Sequence, residues 1–238
     1  VYETRSVGNA RVWVVNQDND SVSVIDAVTR ARLKEIVVGK APRAIAIAPD
    51  KRIWVTNKFG TSISVIDPDA LLVVQSIALP YGSQPYGLVF APVANEAYVV
   101  LEAPGNLLKL DASTGAQLAS VAVGEHPRHV AIDGTGTTVY VSRFITPPQP
   151  GEATAVVGTE VGGVKVGGEV LRVNAASMAV LDTVYLQHSD KPDAENQGGG
   201  VPNYLGALVI SPDGSNAVVP SKQDNIARGT LRSGANLN

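Results

Sequence analysis

The side chains here best suited to chemistry are a scattered set of cations, imidazoles and phenols: Arg43, Tyr86, His126, Arg128, His129, Arg143, His188 and Tyr204. Arg43, Tyr86 and Arg128 each directly follow a proline, and Tyr204 comes shortly after another, Pro202. Guanidinium, imidazole and phenol groups gathered at one place suit a carboxylate or other anion, held by charge-assisted hydrogen bonds. The plainer expectation for such residues at strand starts is that they bond to loop carbonyls. His126 and His129 flank a proline turn and could pair on a metal with His188 as third ligand. No adjacent acid or cysteine completes a familiar ligand set, so no metal or other cofactor is expected. Asp18-Asn19-Asp20 faintly resembles a calcium loop but lacks the glycine and distal glutamate of an EF-hand. Asp190–Asn196 reads as a solvated loop, and Asn19-Asp20-Ser21 fits a glycosylation sequon by pattern alone.

Catalytic signatures are missing. There is no Gly-x-Ser-x-Gly, no His-Glu-x-x-His and no glycine-rich loop opening a helix. Gly134-Thr135-Gly136 precedes a strand and reads as a hairpin. The glycine-rich runs at Val161–Gly168 and Gly198–Gly200 read as flexible or turn-rich loops. No catalytic residue is assigned, and catalysis by this chain alone is not the expected activity.

The elements that must position these side chains repeat. RVWVVNQDNDSVSVID at Arg11–Asp26 returns as RIWVTNKFGTSISVID at Arg52–Asp67. Weaker copies lie at Glu96–Asp111 and from Thr138, the latter broken and resuming at Glu169, and a fifth begins at Asn216. A period of about 40–45 residues marks a β-propeller, one four-stranded blade per repeat. Short Val- and Ile-rich runs bounded by Gly, Pro, Asn and Asp support strands throughout, and no segment has sustained helical periodicity. The expected fold is therefore all-β: four-stranded antiparallel blades, about four and a half of them, possible as part of a larger ring.

Within a repeat the strands are named A to D from the axis outward. Strand A follows the prolines at 42, 85, 127 and 202. Strand B carries Trp13, Trp54, Tyr98, Tyr140 and, in the fifth copy, Val218, which are expected to pack between blades. Strand C ends in Asp26, Asp67, Asp111 and Asn174, each expected to bond the following backbone amides as an Asx-turn. Strands A and B are expected to be apolar on both faces. Residues 1–10 match no repeat clearly and could supply an edge strand.

Residues 1–238 are read as one domain, incomplete as a propeller, with two interruptions. One is a B–C insertion at Phe144–Gly168, the other a D–A insertion at His188–Val201. In an up-and-down blade the B–C and D–A loops share one end, so both insertions should emerge on the same face. Long loops on one face of a rigid scaffold are the usual place for binding. The Arg, His and Tyr residues named above, with Asn16, Asn57 and Lys58, fall on that face.

The repeats resemble the YVTN family of β-propeller repeats. Trp13-Val14-Val15-Asn16, Trp54-Val55-Thr56-Asn57, SVSVID, SISVID, the Val-Gly-x-x-Pro joints at Val38 and Val123, and the Ser211–Gly214 hairpin carry the resemblance. It implies a propeller and an exported setting, periplasmic or cell-surface. It leaves three functions open: a non-catalytic binding or scaffold propeller, the propeller part of a redox enzyme whose haem or quinone lies elsewhere, or a lactonase-like hydrolase.

Bulk properties bound the rest. Of 238 residues, 45% are hydrophobic and 17% charged, enough for a substantial packed core. A net charge of −3 gives no electrostatic case for nucleic acid. No run approaches the roughly 18 apolar residues of a membrane span. The absence of cysteine excludes disulfides and covalent c-type haem within the chain. The partners expected are a protein, or the remainder of a longer chain, and a small anionic ligand.

Overall fold

β-branched side chains favour the pleated backbone, and the Val/Ile runs become short antiparallel strands. The computed structural model describes residues 1–145, 159–189 and 200–224. Blade 1 comprises Tyr2–Glu3, Arg11–Asn16, Ser21–Asp26 and Arg32–Val37. Blade 2 comprises Pro42–Ile47, Ile53–Asn57, Ser62–Asp67 and Leu72–Ala78, and blade 3 Pro85–Phe90, Glu96–Leu101, Asn106–Asp111 and Gln117–Ala122. Blade 4 has Pro127–Ile132, Thr138–Arg143, Val164–Asn174 and Val180–Gln187, with Thr159–Val161 added beside Val164. Val209–Ile210 and Ala217–Val218 form a hairpin that begins a fifth blade. The only helical turn among the described residues is a 3-10 turn at Gln17–Asn19.

The edge strand that residues 1–10 could supply is strand A of blade 1: Tyr2 and Glu3 pair with Val12 and Arg11. The Val1 ammonium and carbonyl extend that pairing to Trp13, at 2.8 and 2.9 Å. The glycine-rich run at Val161–Gly168 is not a loop. Gly162 and Gly163, both at positive φ, turn a hairpin in which strand C of blade 4 is prolonged back to Val164. The readings at Asp190–Asn196 and Gly198-Gly199 lie outside the described residues.

The core is a series of blade-to-blade layers, each pairing an aromatic from one blade with aliphatics from the next. Trp13 packs with Ile53, Val55 and Ile66, Trp54 with Val99, Leu108 and Leu110, and Tyr98 with Val139, Val141 and Val173. Removing such side chains from water stabilises by about 1.5–3 kcal/mol each. Strand B is buried on both faces in blades 2 and 3, but strand A is mostly half-buried, because it lines the axis rather than a neighbouring sheet.

The strand C acids do what their position predicts. Asp26, Asp67, Asp111 and Asn174 each accept two backbone N–H groups, two and three residues on, at 2.8–3.0 Å. These turns in turn receive donors from the preceding blade. Arg11 donates to the Pro68 carbonyl, Arg52 to Ser113 O at 2.6 Å, and Lys109 to Ala175 O at 3.1 Å.

The B–C and D–A connections share the other end, as their hydrogen bonds to one another show. Val38 N donates to Asp20 O at 2.8 Å, Lys58 N to Ala41 O at 3.0 Å, and Glu102 N to Gln84 O at 3.1 Å. Phe144, where the first interruption begins, accepts Leu205 N at 3.2 Å.

In the fifth repeat the joint shifts from Pro202 to Leu205. Ala41, Gln84 and His126, each just before a joint proline, are left-handed at φ 51–56°, and the matching residue is Tyr204, at φ 51°. Thr56 Oγ1 donates to Tyr86 O at 2.6 Å, and its counterpart Ser142 Oγ donates to Gly206 O at 3.1 Å. Gly206 therefore stands where Tyr86 stands, and fully buried Leu205 fills the proline's seat.

Candidate functional site

The left-handed residue before each joint reverses the chain, so the residue after the proline projects over the loop end of strand A. This places Arg43, Tyr86 and Arg128 side by side on blades 2, 3 and 4. The first residue after each strand B faces them: Gln17, Lys58, Glu102 and Phe144 on blades 1 to 4. Blades 2, 3 and 4 thus each contribute two side chains to one mouth, and blade 1 contributes Gln17.

Tyr86 is the centre. Its ring centroid lies 5.5 Å from the Arg43 guanidinium carbon, 5.5 Å from Lys58 Nζ and 5.2 Å from the Arg128 guanidinium carbon. The His129 ring meets it edge-on at 5.4 Å. Arg128 also lies over Phe144, 3.6 Å from the ring centroid, and Phe144 meets Tyr204 edge-on at 5.3 Å. Lys222 Nζ then lies 4.9 Å from the Tyr204 ring. The result is a ladder of cations and aromatic rings running from blade 2 to the fifth repeat. Each exposed cation–π contact is worth about 0.5–1 kcal/mol, more where water is excluded.

Glu102 is the acid within this ladder. Its carboxylate takes Arg128 Nε at 2.6 Å on one oxygen and Lys58 Nζ at 2.5 Å on the other, with Glu102 itself 6% exposed. Burial alone would push its pKa up. Lys58 and Arg128 together outweigh that and hold the carboxyl below its ordinary value. Burial, and then the charge of Arg128, lower the pKa of His129, although Glu102 acts the other way. The imidazole beside Tyr86 is therefore neutral at pH 7. Arg43 donates to the Gln17 side-chain carbonyl, and its buried Nε–H has no acceptor among the described residues.

Of the eight residues singled out by sequence, five join this assembly: Arg43, Tyr86, Arg128, His129 and Tyr204. The other three stand apart from it. His126 is exposed, its left-handed backbone serving the turn and its carbonyl accepting Phe144 N at 2.8 Å. Arg143 is committed to structure: it pairs with Glu169 at 2.5 Å and donates to Glu125 O at 2.8 Å. His188 is half-buried just past the outermost strand of blade 4. Among the described residues no three His, Cys, Asp or Glu side chains gather as a metal would need. Asp20, of the faint calcium motif, accepts Ala41 N at 2.8 Å instead.

Sequence reasoning missed Glu102, Phe144 as a ring contact, and Lys222. The available signal was positional: Glu102 and Phe144 stand directly after strand B, where Lys58 had already been noticed. Among the described residues, Arg43, Lys58 and Arg128 gather around Tyr86, and Glu102 is the carboxylate paired with Lys58 and Arg128. Such a surface can hold an anion by charge and a planar group by its rings.

The model of a family described as YNCE-like beta-propeller matches residues 4–146. Among solved structures, Kuenenia stuttgartiensis hydrazine synthase aligns with a TM-score of 0.70 at 22% identity, over 90% of this chain and 53% of that one. The dihydro-heme d1 dehydrogenase NirN, in complex with DHE, aligns with a TM-score of 0.54 at 14% identity, over 74% of this chain and 35% of that one. At these identities the likeness concerns the fold alone. The chain spans little more than half of the first structure and about a third of the second. No curated protein matches the chain.

Proposed function

The chain belongs to the YNCE-like beta-propeller family, and on that premise we propose that it is a non-catalytic binding propeller. It is exported to the periplasm or cell surface, and its loop face takes a carboxylate-bearing ligand. The observation that supports this most is the Tyr86 ring held among Arg43, Lys58 and Arg128, with Glu102 paired to the last two. Guanidinium groups beside a ring face suit a carboxylate on a planar or extended body. The carboxylate belongs to a small molecule or to an acidic segment of a protein partner, and the two sources are separable.

Calorimetric titration with citrate and, separately, with a short poly-glutamate peptide tests the reading. Binding of either should weaken with added salt and should fall in Arg43→Gln. Citrate alone binding indicates a small-molecule site, and the peptide alone a partner's acidic segment. No binding of either, or equal binding by the variant, would overturn the proposal.

A second reading is favoured by the alignment with hydrazine synthase and with a dihydro-heme d1 dehydrogenase. In it this chain is the propeller part of a redox protein. Lacking cysteine, it would hold no haem covalently and would instead face a redox group bound elsewhere. An absorption spectrum of the protein purified from its native host, with whatever it is bound to, tests this. A preparation without haem or quinone absorbance argues against it.

A further inference from the structure

One contact is made twice at the mouth, with different chemistry. The residue directly after strand B of one blade reaches the residue after the joint proline of the next, 26 positions on. Between blades 3 and 4 the pair is Glu102 and Arg128, whose Nε donates to the carboxylate at 2.6 Å. Between blades 1 and 2 it is Gln17 and Arg43, whose Nη1 donates to the amide carbonyl. An acid therefore stands on Arg128 where a neutral amide stands on Arg43.

The surroundings sharpen the contrast. Lys58 takes the other oxygen of Glu102 at 2.5 Å, and Arg128 is covered by the Phe144 ring at 3.6 Å. Burial works against the charge of Glu102, but Lys58 and Arg128 outweigh it and keep the carboxylate ionised at neutral pH. These two cations are met inside the protein. Arg43 is half-buried, and its partner Gln17 is exposed on the 3-10 turn at Gln17–Asn19. Among the described residues no acid pairs with Arg43, and its Nε–H has no acceptor. A guanidinium presents five donors in a fork that matches a carboxylate, and Gln17 uses one of them.

We infer that Arg43 is the seat of one ligand carboxylate, and that Glu102, by filling the equivalent place on Arg128, makes the mouth select ligands with one carboxylate over those with two. The inference rests on the carboxylate-binding reading above and adds its specificity. A second ligand carboxylate would meet the fixed negative charge of Glu102 instead of a free cation. Gln17, an uncharged acceptor on a mobile-ended side chain, gives way to the first.

Hexanoate and adipate, six-carbon chains with one and two carboxylates, are the probes. Ligand-observed NMR titration at pH 7 and one ionic strength gives their affinities. The unaltered protein should bind hexanoate at least as tightly as adipate. Glu102→Gln frees Lys58 and Arg128 and should shift the ratio toward adipate by on the order of tenfold, the effect of one charge-assisted contact. Gln17→Glu, at an exposed position, puts an internal acid on Arg43 and should bind neither probe while keeping the unfolding midpoint. Should Glu102→Gln fail to fold, Gln17→Glu decides alone. Binding that survives Gln17→Glu, or a hexanoate-to-adipate ratio that Glu102→Gln leaves unmoved, overturns this inference and leaves the carboxylate reading standing. Binding of neither probe by the unaltered protein overturns both.

Discussion

Glu102, which follows strand B of blade 3, accepts Arg128 Nε of blade 4 at 2.6 Å and so ties two blades together at the mouth. With Lys58 of blade 2 on its other oxygen, one carboxylate spans three blades. Breaking a buried pair leaves the partner charges uncompensated, which costs more than the pair contributes. Glu102→Gln should therefore lower stability by about 3 kcal/mol, read from urea unfolding. Glu102→Gln combined with Arg128→Met should cost less than the sum of the single changes, because the second removes a cation the first left unpaired.

Gly39 lies against the Asn57 side chain with no room for a methyl group. Gly39→Ala should destabilise by about 1–3 kcal/mol through overpacking. Adding Asn57→Ala opens the space and should recover part of that loss in a chemical-denaturation cycle. No recovery would mean that the glycine is required for its backbone rather than for this contact.

Acid should weaken the fold in two stages. His129 binds its proton less readily in the folded protein than in the unfolded chain, because burial and Arg128 lower its pKa. Its contribution is thus full above the ordinary value of 6.5 and declines as pH falls below it. Glu102 is shifted below its ordinary 4.5, so its contribution is lost only as pH falls further, through the folded-state value. Thermal midpoints measured from pH 8 downward should show both stages, and His129→Gln should remove the first and keep the second.

Tyr86 should govern ligand binding more than folding. Tyr86→Phe keeps the ring face and should retain affinity for the carboxylate probe that binds. Tyr86→Leu releases Arg43, Lys58 and Arg128 from the ring, and three contacts of about 0.5–1 kcal/mol each predict a loss of roughly ten- to a hundredfold. Calorimetry of the three proteins at one salt concentration makes the comparison.

Much of the fold could be read directly. The strand B aromatics and the strand C acids recur because every blade needs the same inter-blade filler and the same turn, and both are local demands. The fifth joint departs from the pattern for the opposite reason. Pro202 looks like Pro42, Pro85 and Pro127, yet Leu205 takes the seat because its buried side chain and the Ser142 bond to Gly206 set the register. The first strand A was faint in sequence because two residues, Tyr2 and Glu3, carry too little pattern to be matched. Glu102 was legible by position alone, since Gln17, Lys58 and Phe144 hold the same place after strand B with unrelated chemistry.

The sequence alone determined the module: forty-odd residues, four strands, a turn-capping acid and a joint, all set by propensity and periodicity that act over a few neighbours. Only the tertiary structure decided which side chains meet. Arg43, Tyr86 and Arg128 are a whole repeat apart along the chain, and radial packing of the blades brings both guanidinium groups within 5.5 Å of one ring. That closeness depends on how the blades pack face to face, and no local stretch of sequence encodes it.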